Sequence, residues 1–216
     1  MSKNSVYTYD YFQPKEYRFS LDSVFLAQKI ANEYFNHPEK SKLKVLDLCA
    51  GCGIIGLELA LHLQTIPSID FLEVQSLYQN YFNQNVSMIF PDVPKERLRF
   101  LNFNYDVLLT ETNLKAQYDL IVCNPPYFFL GEGLLSPNEF KNRCRFFIDS
   151  SFENLIHACV SALNEDGKAF ILLRPGDHHG RNIIEMINDI LGDTTHSKIV
   201  DNVRGTDVVC ISKKSF

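Results

Sequence analysis

The sequence lacks the features that mark membrane-bound and secreted proteins. Its apolar runs are interrupted well short of the roughly 18 residues that a membrane-spanning helix requires. The beginning of the chain, MSKNSVYTYD, contains no apolar core of a signal peptide. We therefore expect a cytoplasmic protein with no membrane partner.

An excess of basic residues is also missing. Lys and Arg number 21 against 26 Asp and Glu, which gives a formal net charge of −5. Such a chain offers no broad electrostatic surface for nucleic acid, so a contact with RNA has to depend on a local basic patch.

The sequence has too few cysteines for the disulfide framework of a small secreted domain, with six in 216 residues. We expect reduced thiols. Cys49 and Cys52 form one Cys-x-x-Cys, but no second close pair completes a zinc site, so no metal is predicted. A redox motif is disfavoured, because such motifs normally open a helix without the Asp-Leu lead and the glycines found here.

Repeats, low-complexity tracts and linkers are absent, and 45% apolar with 22% charged residues is ordinary globular usage. We predict a single domain over residues 1–216, in which residues 1–40 are a helical lead-in to a core over residues 41–216. The lead-in is expected to hold a helix at residues 23–35, capped by Ser20 or Asp22.

Short apolar runs alternate with segments of helical periodicity, which is typical of an α/β fold with a parallel sheet and crossover helices. The predicted strands are residues 43–49, 69–74, 98–103, 118–123, 168–173, 197–200 and 207–212. The predicted helices of the core are residues 54–63, 76–88, 152–163 and 183–191. We expect a turn at residues 165–167 and an antiparallel pair at the end of the chain.

A glycine-containing turn leads from the first strand into a helix, at the edge where doubly wound sheets bind ligands. Neither G-x-G-x-x-G nor G-x-x-x-x-G-K-[ST] occurs, so a bound pyrophosphate is poorly supported. Glu73 follows Gly51 by 22 residues, a spacing at which a carboxylate can accept both hydroxyls of a ribose. The alternative is that the glycines only permit a tight turn and that Glu73 is a surface carboxylate. We predict a ribose-bearing cofactor at Asp47, Cys49, Ala50, Gly51, Gly53 and Glu73.

The fourth predicted strand ends in Asn124, Pro125, Pro126 and Tyr127. Proline fixes φ, has no N–H and forces the preceding residue into extended geometry, so this stretch presents a rigid row of acceptors. A planar amine can donate its two hydrogens to the Asn124 side-chain oxygen and the Pro125 carbonyl, which aims the nitrogen lone pair. Tyr127 would stack on the planar group, and Phe128 would extend that surface. The alternative is a strand-ending turn beside core aromatics.

Residues 124–127 match the [DNS]-P-P-[YFW] motif in full, and the chain resembles the class I S-adenosylmethionine-dependent methyltransferases that methylate amino groups. The resemblance covers nearly the whole chain. It implies a Rossmann-like fold, with a seven-stranded, mostly parallel sheet, helices on both faces and an antiparallel last strand. It also implies S-adenosylmethionine as the cofactor.

The same resemblance assigns roles to the cofactor residues. Residues 47–53 correspond to the cofactor loop, and Glu73 corresponds to the ribose-binding acidic position. Cys49 is a departure, because the family commonly has a glycine there, and it alters the expected fit around the methionine portion. Near the adenine of the cofactor the family often has an acidic residue, and the choice between Asn104 and Asp106 stays open.

A narrower resemblance lies in residues 17–27, YRFSLDSVFLA, which are similar to the segment before the cofactor strand in bacterial valine-tRNA adenine methyltransferases. In that group the segment folds over the cofactor, so Ser20 and Asp22 are also candidate cofactor contacts. Residues 144–147 depart from the group, because they lack its acidic residue.

The favoured function is methyl transfer to an exocyclic amino nitrogen, with adenine in a structured RNA such as tRNA as the substrate. Lys141, Arg143 and Arg145 lie in a predicted loop and are the candidate phosphate contacts. Two alternatives stay open, namely methylation of a glutamine side chain in a protein partner and a non-catalytic cofactor-binding module. The oligomeric state is not specified by the sequence, with a monomer slightly favoured.

Overall fold

A central sheet of seven strands organises the computed structural model, which describes residues 10–34, 37–175, 177–178, 181–192 and 195–215. The strands of this sheet are β1 (Lys44–Leu48), β2 (Ser68–Leu72), β3 (Leu98–Leu101), β4 (Tyr118–Cys123), β5 (Leu163–Leu173), β8 (His196–Val203) and β9 (Thr206–Ser212). A separate hairpin consists of β6 (Asp177–His178) and β7 (Arg181–Asn182).

Helices cover both faces of the sheet. They are α1 (Leu21–Tyr34), α2 (Ile54–His62), α3 (Tyr78–Ile89), α4 (Val107–Thr110), α5 (Glu139–Arg145), α6 (Phe152–Ala162) and α7 (Ile183–Leu191). Every helix in the described part of the chain is too short or too polar to cross a bilayer.

The strand order is β3-β2-β1-β4-β5-β9-β8. Strands β1 to β5 pair in parallel, whereas β9, the last strand, is antiparallel to both of its neighbours, β5 and β8. The predicted fold is confirmed, including the antiparallel last strand. Because the order reverses between β1 and β4, the carboxyl ends of these two strands form the switch point at which such folds bind ligands.

Strands β1, β2, β4 and β9 are buried on both sides because each face of the sheet is covered. On one face α1, α2 and α3 pack against β-strand residues such as Val45 and Phe71. On the other face α6 and α7 pack against residues such as Leu46 and Ile121. Packing on both faces fixes the positions of the carboxyl ends of the strands, and therefore the positions of the loops that follow them.

Most of the predicted element boundaries differ from the structure by a few residues. Helix α1 begins at Leu21, two residues before the predicted start, because the Ser20 hydroxyl accepts the N–H of Asp22 at 3.1 Å and opens the helix. Phe35, the predicted last residue of this helix, lies outside the described residues.

The turn predicted at residues 165–167 is instead part of β5. Pairing with β4 passes from Tyr118–Leu163 directly to Leu120–Lys168, so the extra residues are accommodated as an irregularity within the strand. Turn-forming residues inside a continuous strand are the signature of such a bulge.

The loop predicted around the basic cluster is wrong, because residues 139–145 form helix α5. Asn138 caps this helix, with its side-chain oxygen accepting the N–H of Lys141 at 3.0 Å, and Glu139 lies in the first turn. An asparagine followed by an acidic residue is a helix-start signal. The signal was therefore present in the sequence.

Gly56 allows α2 to approach the sheet closely. A Cβ at this position would lie 2.5 Å from Phe71 Cε1 and 3.2 Å from Asp47 Oδ2. We expect Gly56→Ala to lower the free energy of unfolding by roughly 1–2 kcal/mol, because overpacking outweighs the better helix propensity of alanine. Urea unfolding measures this change.

The matched control is Ser87→Ala, at an exposed position of α3. It should change the free energy of unfolding by less than about 0.5 kcal/mol. A Gly56→Ala variant as stable as the control would contradict the close approach of α2 to β2.

Candidate active site

A cavity of about 950 Å³, open to solvent, lies at the carboxyl ends of β1, β2 and β4. Predicted site residues that line it are Cys49, Ala50, Gly51, Glu73, Asn104, Asn124, Pro126 and Arg143. Predicted site residues outside its lining are Ser20, Asp22, Asp47, Gly53, Asp106, Pro125, Tyr127, Phe128, Lys141 and Arg145. The cavity thus brings together the turn after β1, the acidic residue after β2 and the start of the motif after β4.

The turn after β1 is held in a left-handed conformation. Cys49, Gly51 and Gly53 have φ values of 56°, 54° and 86°. For a residue with a side chain this region costs about 1–2 kcal/mol, so Cys49 adopts at a cost the conformation that glycine adopts freely.

Glu73 closes the turn from the side of β2. Its carboxylate is 6% exposed and accepts the N–H of Gly51 at 2.9 Å and that of Gln75 at 2.8 Å. Burial raises the pKa of Glu73, and these two hydrogen bonds oppose the rise. A carboxylate can accept about four hydrogen bonds, so Glu73 keeps capacity for ligand hydroxyls.

Asp47 lies beneath the turn rather than on the cavity surface. Its Oδ2 accepts the N–H of Gly56 at 2.8 Å, while its buried Oδ1 has no hydrogen-bond partner among the described residues. Burial raises the pKa of Asp47 well above its ordinary value. The Asp47 side chain therefore links the end of β1 to α2 through Oδ2, and its Oδ1 remains available as an acceptor beneath the turn.

Asn124 has a fixed orientation. Its Nδ2 donates to the hydroxyl of Ser23 at 3.0 Å, and Ser23 is only 3% exposed. Because the amide nitrogen is engaged, Oδ1 is the atom that remains as an acceptor for a ligand. Both residues line the cavity.

The backbone of the motif is tied to the end of α5. The carbonyl of Arg145 accepts the N–H of Tyr127 at 3.1 Å and that of Phe128 at 3.0 Å. Phe147 donates its N–H to the carbonyl of Phe128 at 3.0 Å. Within the described residues no hydrogen bond engages the Pro125 carbonyl. This carbonyl and Asn124 Oδ1 form the acceptor row that the two prolines predict.

Tyr127 differs from the prediction, because its ring does not line the cavity. Its hydroxyl is buried without a well-formed hydrogen bond, close to Asp22, Tyr17 and Thr206. Burial raises the pKa of this phenol. The stacking face expected at the cavity lies instead under the N-terminal segment, which covers this side of the motif.

Asn104 and Asp106 differ in their position relative to the cavity. Asn104 lines the cavity and donates its Nδ2 to the carbonyl of Asp149 at 2.7 Å. Asp106 is outside the lining and accepts from the hydroxyl of Ser150 at 2.6 Å. Of the two candidates for the adenine position, the geometry favours Asn104.

Helix α5 separates the basic residues that were expected to act together. Arg143 lines the cavity and pairs with Asp149, with Nε 3.0 Å from each carboxylate oxygen. Hydrogen bonding to Asp149 raises the pKa of Arg143. Arg143 is thus part of the cavity wall rather than an outer phosphate contact. Lys141 and Arg145 lie one helical turn apart, outside the lining.

Ser20 and Asp22 have structural contacts in place of the expected cofactor contacts. Ser20 caps α1, as described above. Asp22 Oδ2 accepts the hydroxyl of Thr206 at 3.3 Å, and its Oδ1 lies 3.3 Å from Arg204 Nε. The cavity residue of this segment is Ser23 instead.

Several lining residues were not predicted from the sequence. They are Tyr17, Phe19, Ser23, Gln75, Tyr78, Phe103, Cys144, Phe146, Phe147, Ile148 and Asp149, among others. Cys144 accepts hydrogen bonds from Gln75 Nε2 at 3.3 Å and lies 3.2 Å from the Tyr78 hydroxyl. No spacing in the sequence marks these residues, because α5 meets α3 only in the folded chain.

The described residues contain no group of three or more His, Cys, Asp and Glu side chains that is arranged to hold a metal ion. Cys49 and Cys52 are both free thiols. The polar side chains of the cavity carry amides, carboxylates, serine and tyrosine hydroxyls, three thiols and one guanidinium.

Comparison with known proteins relates the chain to methyltransferases. A family described as "Lysine methyltransferase" matches residues 20–125. A tRNA1(Val) (adenine(37)-N6)-methyltransferase from Flavobacterium psychrophilum is 31% identical over 132 residues, 61% of this chain and 53% of that protein. This chain therefore spans about half the length of the curated relatives that it matches.

Solved structures share the fold at lower identity. An SAM-dependent methyltransferase from Agrobacterium tumefaciens has a TM-score of 0.60 at 12% identity, covering 89% of this chain and 62% of that one. TYW2 from P. horikoshii, solved in complex with MeSAdo, has a TM-score of 0.56 at 13% identity, covering 91% and 65%. The chain therefore resembles the class I S-adenosylmethionine-dependent methyltransferases in sequence and in fold. The resemblance predicted from residues 124–127 is confirmed.

The residues around the cavity fit S-adenosylmethionine. Glu73 has acceptor capacity for ribose hydroxyls, and Asp47 leaves a buried oxygen unpaired beside the turn. A Cβ added at Gly51 would touch only the ring of Tyr78, at 3.6 Å, so the backbone of the turn is open to a ligand. The methyl donor would therefore lie between Glu73 and Asn124.

We expect Glu73→Ala to raise the Kd for S-adenosylmethionine and for S-adenosylhomocysteine at least about tenfold, because hydrogen bonds to a charged group are lost. The N–H of Gly51 loses its acceptor in the same variant. Isothermal titration calorimetry measures both affinities. Glu73→Gln is the control, since it preserves size and one acceptor, and its Kd should fall between wild type and Glu73→Ala. Unchanged affinity in Glu73→Ala would show that the ribose is bound elsewhere.

Proposed function

We propose that the chain transfers a methyl group from S-adenosylmethionine to the exocyclic amino nitrogen of adenine in a structured RNA such as a tRNA. The observation that carries this proposal is the Asn124 amide, which Ser23 holds at 3.0 Å at the carboxyl end of β4, on the cavity wall. The curated relatives named as tRNA adenine-N6 methyltransferases support the choice of substrate.

The chemistry follows from two fixed acceptors. Asn124 Oδ1 and the Pro125 carbonyl each take one hydrogen of a planar amine, which weakens conjugation of its nitrogen with the ring. The lone pair is then directed out of the ring plane toward the cavity. The bound cofactor supplies an electrophilic methyl group on a sulfonium. Asn124 Oδ1 and the Pro125 carbonyl would stabilise the positive charge that develops on the attacking nitrogen, which then releases one of its protons to solvent.

A planar amine fits this site better than a lysine, although the matched family is described by lysine methylation. A lysine ammonium has to lose a proton before it can attack. Among the residues lining the cavity the carboxylates are Glu73 and Asp149, and each already accepts hydrogen bonds from the protein. The family match ends at residue 125, before Pro126 and Tyr127 complete the motif. The family match therefore supports cofactor binding by residues 20–125 and carries no information about the substrate.

The identity of the substrate is tested with labelled S-adenosylmethionine and separated RNA, DNA and protein fractions from the cell of origin. We expect the label in RNA, as N6-methyladenine after nuclease digestion. Label in a glutamine or lysine side chain would overturn the proposed substrate while leaving methyl transfer intact. Cofactor binding without label in any fraction would favour a non-catalytic binding module.

We expect Asn124→Ala to lower kcat by about 10²–10³-fold, because its contact to the reacting amine strengthens in the transition state. The Kd for S-adenosylmethionine should change by less than about threefold. Single-turnover kinetics and calorimetry measure the two quantities. A parallel loss of cofactor affinity and rate would indicate that Asn124 has a structural role instead.

Ser23→Ala tests the orientation of Asn124 without touching the substrate. Loss of the hydroxyl frees the amide to rotate, so we expect a decrease in kcat of about tenfold with the cofactor Kd unchanged. Ser23→Thr keeps the hydroxyl and should restore most of the rate. If threonine and alanine reduce kcat equally, packing rather than the hydrogen bond explains the effect.

A further inference from the structure

One cluster beside the motif pairs an aromatic ring with two guanidinium groups. The Cζ of Arg145 lies 5.4 Å from the centroid of the Phe128 ring, and that of Arg174 lies 5.3 Å from the same centroid. Arg145 also lies 5.3 Å from the ring centroid of Phe146. These three side chains, Phe128, Arg145 and Arg174, are called the stacked cluster below.

The stacked cluster joins three separate parts of the fold. Phe128 follows the motif after β4, Arg145 ends α5, and Arg174 comes directly after β5. Strands β4 and β5 are neighbours, with Cys123 paired to Ile171. The cluster is therefore at the same carboxyl edge as Asn124, displaced toward β5.

The stacked cluster lies where the methyl-accepting substrate, rather than the cofactor, would approach the site. Glu73 and the turn after β1 place the cofactor on the side of β2, whereas Arg174 follows β5, which lies on the other side of β4. None of its three residues lines the cavity. The β4–β5 side of this edge is therefore a route by which a nucleotide strand can bring its target base to Asn124.

The cluster has the chemistry of a nucleotide site. Aromatic and guanidinium planes stack on bases of single-stranded or looped RNA, and guanidiniums pair with phosphates. Phe128 and Arg145 are half-buried and Arg174 is exposed, so the cluster is held in place and still open to solvent. Two cations at one ring also form a local basic patch on a chain whose net charge is −5.

We propose that the stacked cluster binds the nucleotide next to the target base, with Arg174 and Arg145 on its phosphates and the Phe128–guanidinium stack under its base. The proposal rests on the proposed RNA substrate. Arg174 is a substrate contact that the basic residues of α5 did not indicate, and its guanidinium lies on the same ring as that of Arg145.

The test measures binding and methylation separately. The probe for binding is a fluorescein-labelled RNA stem-loop with adenines in its loop, followed by anisotropy across a salt series without cofactor. We expect Arg174→Ala to weaken binding about tenfold and to reduce the slope of log K against log salt by about 1, as expected for one lost phosphate contact. Calorimetry should give an unchanged Kd for S-adenosylmethionine.

Further variants separate stacking from charge and from packing. Arg145→Lys keeps the charge but removes the planar group, so the salt slope should be preserved while affinity falls. Phe128→Leu should weaken binding without altering the slope. Arg97→Ala is the matched control, because Arg97 is an exposed arginine before β3, at the opposite edge of the sheet, and its removal should leave binding unchanged.

Equal affinity and equal salt slope in wild type, Arg174→Ala and Arg97→Ala would overturn the proposal. Equal losses in the two variants would do the same, since they would report net charge alone. Wild-type protein that binds the stem-loop through Arg174 without methylating any RNA would contradict the proposed function and leave the binding site standing. The two ideas therefore fail through different measurements.

Discussion

The pairing of β1 with β4 is the constraint on which the site depends. Leu48 pairs with Cys123, so the next residue on each strand, Cys49 and Asn124, leaves the sheet at the same point. A parallel register shifted by two residues would separate these groups by about 7 Å. The cofactor turn and the acceptor motif are far apart in sequence, and this register is what allows a methyl donor and an amine to meet between them.

A second set of contacts closes the cavity around that point. The carbonyl of Arg145 accepts both backbone N–H groups that follow the prolines. Arg143 pairs with Asp149, six residues later in the sequence. Asn104 holds the carbonyl of the same Asp149 from the side of β3. One short helix, α5, thus links the motif to the far wall. Movement of α5 would alter the cofactor pocket and the acceptor row together.

The sequence was sufficient for the α/β fold class, because the apolar runs and the glycine turn have local signatures, and the resemblance carried by residues 124–127 implied the seven-stranded sheet. The direction of a side chain is not local. Arg143 and Arg145 are two residues apart, yet a helix sends one to Asp149 in the cavity and the other to Phe128. Because residues 139–145 were predicted to form a loop, the different directions of these two side chains were not predicted. Ser23 was likewise obscured, because its partner Asn124 is 101 residues away.

The unfavourable features of the fold collect at the same edge. In the part of the chain that the structure describes, the buried side-chain atoms without a partner are Asp47 Oδ1 and the Tyr127 hydroxyl. An unsatisfied buried polar group costs about 1–3 kcal/mol, and the left-handed Cys49 adds a comparable cost. One of these groups lies under the cofactor turn and the other beside the acceptor motif. The packing of the two hydrophobic cores offsets these costs. Selection for stability alone would remove the unfavourable groups. Because they lie on either side of Asn124, we infer that this edge of the sheet is shaped for binding ligands.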